Sequence, residues 1–406
     1  VTIADSELRT SDSAVWGRAL SPAEVALLWA AANDATGAPP PASYANNPRA
    51  VDFTVTLTPP ASAAVVLDPI DAGIVWDAAD TWRCTATLTV PFTQATWDLV
   101  KDYSQAKVSM VVGLVAPSLA VASHTVTPPL VIRRAAVSRP EDTIRLDLAS
   151  QASTVDDLRF DADTTYAGAD GPTQIRNLIL AAIPTAVFDT QATGAALPAT
   201  SNAGQSRWAA VEAIADNAHL EVWQKPDGAF MIRDQPLQSA VPVDTLAVGQ
   251  GGVIIESSSD FNRDTFANGY AVRAVWVESN SQTGYAYGSA FDLDPASPTR
   301  WGGPAGNRME ADAEAIQLTD AECGRLAASR LARSLGHGRG VRLSCPLRPW
   351  LYPGDPVAVE LPTGGVQLHT VQRVQHDLPA MTTTVDTRLL PDTHPAVFAA
   401  PVVQPV

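Results

Sequence analysis

Four ionisable side chains fall within ten positions: Glu212, Asp216, His219 and Glu221. Two carboxyls held in one cleft with split pKa values would support general acid–base chemistry of the glycosidase kind. Helical phase argues against that use. Glu212 and Asp216 are four apart and share one helix face, away from the face of Trp208, Val211, Ile214 and Ala215. The pair reads as solvated surface. His219 falls near the helix end, where the helix dipole favours a cation, and Glu221 alternates with Leu220 and Val222 on a strand, so it too reads as solvated surface.

The other candidates are weaker. "DDLRFDADTTYAGADGP" supplies Asp156, Asp157, Asp161, Asp163 and Asp170. A calcium loop needs alternating oxygen ligands, a central Gly and a closing Glu; here Thr165 weakens the alternation and no Glu follows, so the stretch reads as a turn-rich loop. Gly336, Gly338 and Gly340 follow a helix and precede a strand, the reverse of a dinucleotide loop, so Gly336 is expected to end that helix. "GQGG" at 249–252 lacks a phosphate-binding lysine. The histidines (124, 219, 337, 369, 376 and 394) show no HExxH spacing, and no GxSxG elbow is present. Cys84, Cys323 and Cys345 share no CxxC spacing and read as three buried thiols, with neither disulfide nor zinc site. No catalytic, cofactor or metal residue is assigned.

Composition narrows the class. The 406 residues are 46% hydrophobic and 17% charged, enough for real cores, and 32 Pro with 25 Gly punctuate many short strands. A net charge of −16 opposes nucleic-acid binding and docking on anionic membranes. No segment approaches the roughly 18 apolar residues of a membrane span, and the polar opening "VTIADSELRTSD" does not read as a signal peptide.

The positioning elements follow from periodicity. Residues 1–49 read as a strand–helix piece, capped by Ser21 with Pro22 and Glu24, and a Pro-rich linker. Residues 50–151 alternate as strands, interrupted by the helical "QATWDLVKDY", and read as a first barrel-like domain. Residues 152–246 form an α+β middle domain, in which Asp227-Gly228 marks a hairpin turn. Residues 247–281 and 313–393 read as a second barrel-like domain, entered by a helix with a Thr319/Glu322 capping box and Arg325, Arg330 and Arg333 towards its C-terminal half. Residues 282–312 read as an insertion or small accessory domain, and 394–406 as a tail. The fold class is mainly β with α+β parts, multidomain, with two β-barrel-like tube domains flanking a helix–hairpin domain.

"RWAAVEAIADNAHLEVWQKPDGAFMIRD", Arg207–Asp234, resembles a recurring element of bacteriophage tail hub (baseplate hub) proteins, of the form "RWxAVxxLA" followed by "xEVxxxxDGxFxIR". "SSSDFNRDTFANGYAVRA", "LTDAECGRLAASRLARSLG", "PWLYPGDPVAVELPTG" and "MTTTVDTRLL" resemble further hub stretches in the same order, so the resemblance spans roughly 50–392. Separately, "DSAVWGRALSPAEVALLWAAAN" is similar to the closing strand and helix of laminin-G-like jelly rolls. Only that last piece is present, so no sugar-binding role is carried over.

The hub resemblance implies a structural protein of the virion tail tip, assembled in the host cytoplasm and without enzymatic activity. Hubs of this kind are homotrimers whose two barrel-like domains per subunit make a pseudo-sixfold ring. That ring adapts a sixfold tube to a threefold tip and passes tape measure and DNA. Implied partners are the distal tail protein or tube ring, the tape measure protein, and central spike or fibre proteins. No stable nucleic-acid binding and no cofactor is implied. Two rivals are a tail-associated cell-wall hydrolase and a carbohydrate-binding receptor module, the latter with Trp301 in "WGGPAGN" as its candidate residue.

Overall fold

The computed structural model describes residues 49–389, apart from short stretches at 61, 102–104, 116–120, 163–169, 193–204, 219, 235–241, 249–251, 262–265, 278–281, 296, 298, 315–317, 338 and 362–364. The N-terminal strand–helix piece, His219, His394, Asp163 and the C-terminal tail lie outside the described residues.

In chain order, the first β block contributes β1 (Arg49–Thr58), β2 (Val65–Leu67), β3 (Asp71–Asp77), β4 (Cys84–Pro91), α1 (Gln94–Val100), β5 (Lys107–Val115), β6 (Val121–Thr125), β7 (Leu130–Ser138) and β8 (Thr143–Ala149). The middle block holds α2 (Ala152–Asp157), α3 (Gly171–Ala182), β9 (Phe188–Thr190), α4 (Arg207–Asn217), β10 (Leu220–Gln224), β11 (Phe230–Asp234) and β12 (Asp244–Ala247). The last contributes β13 (Glu256–Phe261), β14 (Gly269–Val277), β15 (Thr283–Phe291), β16 (Met309–Glu314), α5 (Asp320–His337), β17 (Arg339–Pro346), β18 (Pro356–Leu361), β19 (Gly365–Asp377) and β20 (Thr382–Leu389).

The protein is mostly β. Its main sheet has 14 strands, along the path β13-β17-β20-β19-β3-β4-β8-β7-β5-β1-β2, with β12 and β18 branching from β19 and β6 from β5. The two outer β blocks are thus one sheet, joined where β3 pairs antiparallel with β19 from Arg373↔Asp77 to Asp377↔Gly73. The path ends on β13 and β2, so the barrel-like blocks are not closed rings among the described residues. Alternation sets the core face: Ala72, Ile74 and Trp76 of β3 are buried, as are Cys84, Ala86, Leu88 and Val90 of β4.

A second sheet, β10-β11-β9, carries the expected hairpin. A third, β15-β14-β16, is covered on one face by α5 through Val272, Ala274, Ala286 and Leu331. The residues of 282–312 therefore supply β15 and the start of β16 to a sheet that also contains β14. The α5 capping box forms as expected: the Thr319 amide donates to Glu322 Oε2 at 2.7 Å, and the Glu322 amide to Thr319 Oγ1 at 3.3 Å. The helix does not end at Gly336 but includes it and His337. All three cysteines are buried free thiols.

Candidate functional site

The helix–hairpin unit is seated between two cores. Val222 and Ile232, cross-strand partners, join Leu220 and Phe230 in a core shared with Trp208, Val211 and Ile214 of α4. Trp223 and Met231, the next pair along, point the other way into the core of the main sheet. Both hairpin faces are buried, because two-residue periodicity hands alternate side chains to different cores. The expected solvated setting of Glu221 is corrected accordingly. Its side chain is 17% exposed and pairs with Arg233 at 3.0 Å across the hairpin.

Three loops of the main sheet grip this unit. The turn between β3 and β4 presents Trp82 and Arg83. Trp82 donates its indole N–H to Asp156 Oδ2 at 3.2 Å, and Arg133 stacks over the ring while pairing with Asp157. Trp208 Nε1 donates back to Thr81 O at 2.6 Å and to Glu212 Oε1 at 3.1 Å. Arg83 and Arg233 both stack on Trp223, at 5.5 and 4.5 Å from its centroid. Arg83 holds φ 55, a left-handed conformation costing about 1–2 kcal/mol for a side-chain-bearing residue.

The second loop is the Pro353-Gly354-Asp355 turn. Gly354 has φ +93, and a Cβ there would lie 2.8 Å from Arg233 Nη2 and 3.2 Å from Glu221 Oε2. The third holds Pro129, whose Cδ would lie 3.3 Å from a Cβ added at Gly228 of the hairpin turn. Gln224 completes the grip, accepting from the Gln151 amide at 2.9 Å and donating to Gly228 O at 3.0 Å.

Electrostatics follow from burial. Glu212 is exposed overall, yet desolvation of its carboxylate, opposed by the Trp208 hydrogen bond, raises its pKa to about 6. Asp355 is also raised to about 6 by burial, opposed by the hydrogen bond from the Tyr352 amide and by Arg233. Burial lowers the Arg83 guanidinium, with Glu221 opposing. The carboxylates and guanidiniums thus hold the seat together by hydrogen bonds, stacking and mutual charge.

The remaining candidates are dispersed. Asp156 and Asp157 serve Trp82 and Arg133, and Asp170 caps α3 by accepting from the Thr173 amide at 3.1 Å. Among the described residues, no group of three or more His, Cys, Asp or Glu side chains could hold a metal ion, and no helix is long and apolar enough to cross a membrane. His124 Nε2 lies 3.1 Å from Tyr352 Oη, whereas His369 and His376 are buried against Thr387 and Thr383. Trp301 packs edge-on against Phe291, with ring centroids 4.8 Å apart, and its ring lies over Gly269. It anchors its loop.

Sequence reasoning passed over Trp82 and Arg83. Their only signal is an aromatic beside an Arg in a tight turn, "ADTWRC". It also missed Arg233 as the partner of Glu221, although counting outward from the Asp227-Gly228 turn gives that register.

No family profile and no curated protein matches the sequence. Solved structures do match. A tail protein from Neisseria meningitidis MC58 superposes with TM-score 0.59 at 16% identity, over 84% of this chain and 98% of its own. The 43 kDa tail protein of prophage MuSo2 from Shewanella oneidensis matches with TM-score 0.59, 11% identity, and 84% and 99% coverage. Prophage tail protein gp18 from Listeria monocytogenes EGD-e matches with TM-score 0.57, 12% identity, and 84% and 95% coverage. The chain therefore has the fold of these phage tail proteins. At such identities the likeness concerns the fold.

Proposed function

We propose that this chain is a structural hub of a phage-type tail tip. It forms a homotrimeric ring that adapts a sixfold tube to a threefold tip and lets tape measure and DNA pass. The observation that carries the reading is coverage: nearly the whole length of three separate tail proteins is matched by one continuous fold. The sheet geometry supports it, because two β blocks joined edge to edge through β3 and β19 give each subunit two wall units. Those units are the proposed tube domains at 50–151 and at 247–281 with 313–393, and the seated helix–hairpin domain at 152–246 fixes their angle. Three subunits then supply six wall units.

In this reading the chain has no enzymatic activity and binds no cofactor. Its partners are the distal tail protein or tube ring, the tape measure protein and a central spike or fibre, at the tail tip of the virion. The net charge of −16 suits a channel along which DNA slides rather than sticks. Mass by light scattering, alone and with a distal tail protein, tests the proposal. A threefold mass, or a three-copy ring in micrographs of the mixture, is expected. A monomer that stays monomeric with its partner and degrades peptidoglycan would overturn it in favour of the hydrolase.

A further inference from the structure

Asn268-Gly269 is the single Asn-Gly pair of the sequence. In such a pair the asparagine carboxamide is open to attack by the next backbone nitrogen, because glycine has no side chain to obstruct the approach. Here the pair leads into β14 and is enclosed by the loop that carries Asp292, Thr299, Trp301 and Gly306. Asn268 is fully buried. Its Nδ2 donates to Thr299 O at 2.9 Å and to Gly306 O at 2.7 Å, and its Oδ1 accepts from the Arg308 amide at 2.8 Å. The Gly269 amide, whose nitrogen would attack, donates to Arg308 O at 3.0 Å. A Cβ at Gly269 would lie 2.6 Å from Trp301 Cζ3, so the packing that shields the pair also demands the glycine that makes it reactive.

The closed loop holds nucleophile and leaving group in hydrogen bonds and keeps out the water that the reaction consumes. Opening frees both. The Gly269 nitrogen then loses its proton to solvent and bonds to Asn268 Cγ, the Cγ–Nδ2 bond breaks, and Nδ2 leaves as ammonia. Water opens the resulting cyclic imide at either carbonyl, which gives aspartate or isoaspartate. Neither product fits the closed loop. A carboxylate accepts hydrogen bonds and donates none, so Thr299 O and Gly306 O lose their donor and face a new negative charge, in a loop whose Asp292 is already only 3% exposed. Isoaspartate also lengthens the backbone where the chain enters β14. From this geometry we infer that Asn268-Gly269 is a latent modification site: its conversion by water in an opened molecule is a one-way switch that leaves the Trp301 loop released. The inference does not depend on the hub reading.

Peptide mapping by mass spectrometry, after prolonged incubation of the full chain at mildly alkaline pH, tests the reactive half of the proposal. Conversion at position 268 is expected to be slow in the parent and fast in urea. It should be about tenfold or more faster than the parent in Trp301→Ala, and likewise in the Ser297→Ala, Thr299→Val double variant, which removes two hydroxyl donors to Asp292. Circular dichroism checks the fold of each variant. Hydrogen exchange over residues 299–308 tests the switch: it should be faster in Asn268→Asp than in the parent, with exchange over β19 and β20 unchanged. Conversion in the parent as fast as in urea overturns the proposal, as does a folded loop variant that converts no faster than the parent. Exchange in Asn268→Asp that matches the parent overturns it equally, because the product would then leave the loop closed.

Discussion

Arg233 and Glu221 face one another at 3.0 Å across the β10–β11 hairpin, and both crowd the position of Gly354, on a loop more than a hundred residues further along the chain, where a Cβ would lie 2.8 Å from Arg233 Nη2 and 3.2 Å from Glu221 Oε2. The pair closes the gap between the helix–hairpin unit and the main sheet. Its worth depends on how closely the Pro353-Gly354-Asp355 turn approaches, and that approach requires the absence of a side chain. Gly354→Ala is therefore expected to destabilise the protein by about 1–3 kcal/mol, from strain at φ +93 and displacement of the ion pair. Gly365→Ala, at φ +64 with open space around it, separates the two causes, since it adds strain alone. Urea unfolding of both variants measures the difference, and equal losses would show that the close approach contributes nothing.

Trp208 makes a second connection that a conservative change isolates. Its indole N–H serves both Thr81 O and Glu212, and Phe would keep much of the buried ring while removing the donor. Trp208→Phe is expected to cost about 1–3 kcal/mol. It should also speed proteolysis in the turn around Thr81. Limited proteolysis followed by mass spectrometry reads the site, and unchanged cleavage there would mean that Trp208 does not hold the turn.

Much of this seat was legible locally and little of it globally. The Asp227-Gly228 turn, the buried face of Trp208, Val211, Ile214 and Ala215, and the Thr319/Glu322 capping box all rest on neighbours within a few residues, and each forms as the sequence indicates. The pairing of β3 with β19 joins residues about three hundred positions apart and leaves no local trace, because either strand alternates well enough for any antiparallel neighbour. Glu221 was misread for a related reason. Alternation implies one wet face, whereas this hairpin buries both, and only the identity of the second core reveals that.

Acid should act on two sets of desolvated groups in opposite senses. Glu212 and Asp355 have folded-state pKa values raised to about 6 from 4.5 and 3.8. Their contribution is fully present below the unfolded values and is lost as pH rises through about 6. His376 and His369 are lowered by burial to about 3 and about 4 from 6.5, so their contribution is present above 6.5 and lost as pH falls through those folded values. Urea midpoints across this range should fall on the acid side less steeply in His376→Asn than in the parent. The change between about pH 5 and about pH 7.5 should shrink in Asp355→Asn. Parallel curves for parent and variants would exclude these groups as the source.

The buried pair beneath β12 allows a sharper test of how the last block is held. Arg348 and Asp244 lie 3.4 Å apart with side chains only 2% and 4% exposed, and Asp244 also accepts from Trp350 Nε1 at 3.0 Å. Desolvation raises Asp244 above the usual carboxylate range, and Arg348 opposes the shift. A buried charge stripped of its partner is costlier than the intact pair is stabilising, because nothing in the core replaces the lost water. Arg348→Met alone is therefore expected to destabilise by about 3–5 kcal/mol, and Arg348→Met combined with Asp244→Asn by clearly less, since the second change removes the stranded charge. A double-mutant cycle in urea measures this. Strict additivity of the two single losses would mean that the pair is not coupled and that the Arg348–Asp244 contact does not help to hold β12 to the sheet.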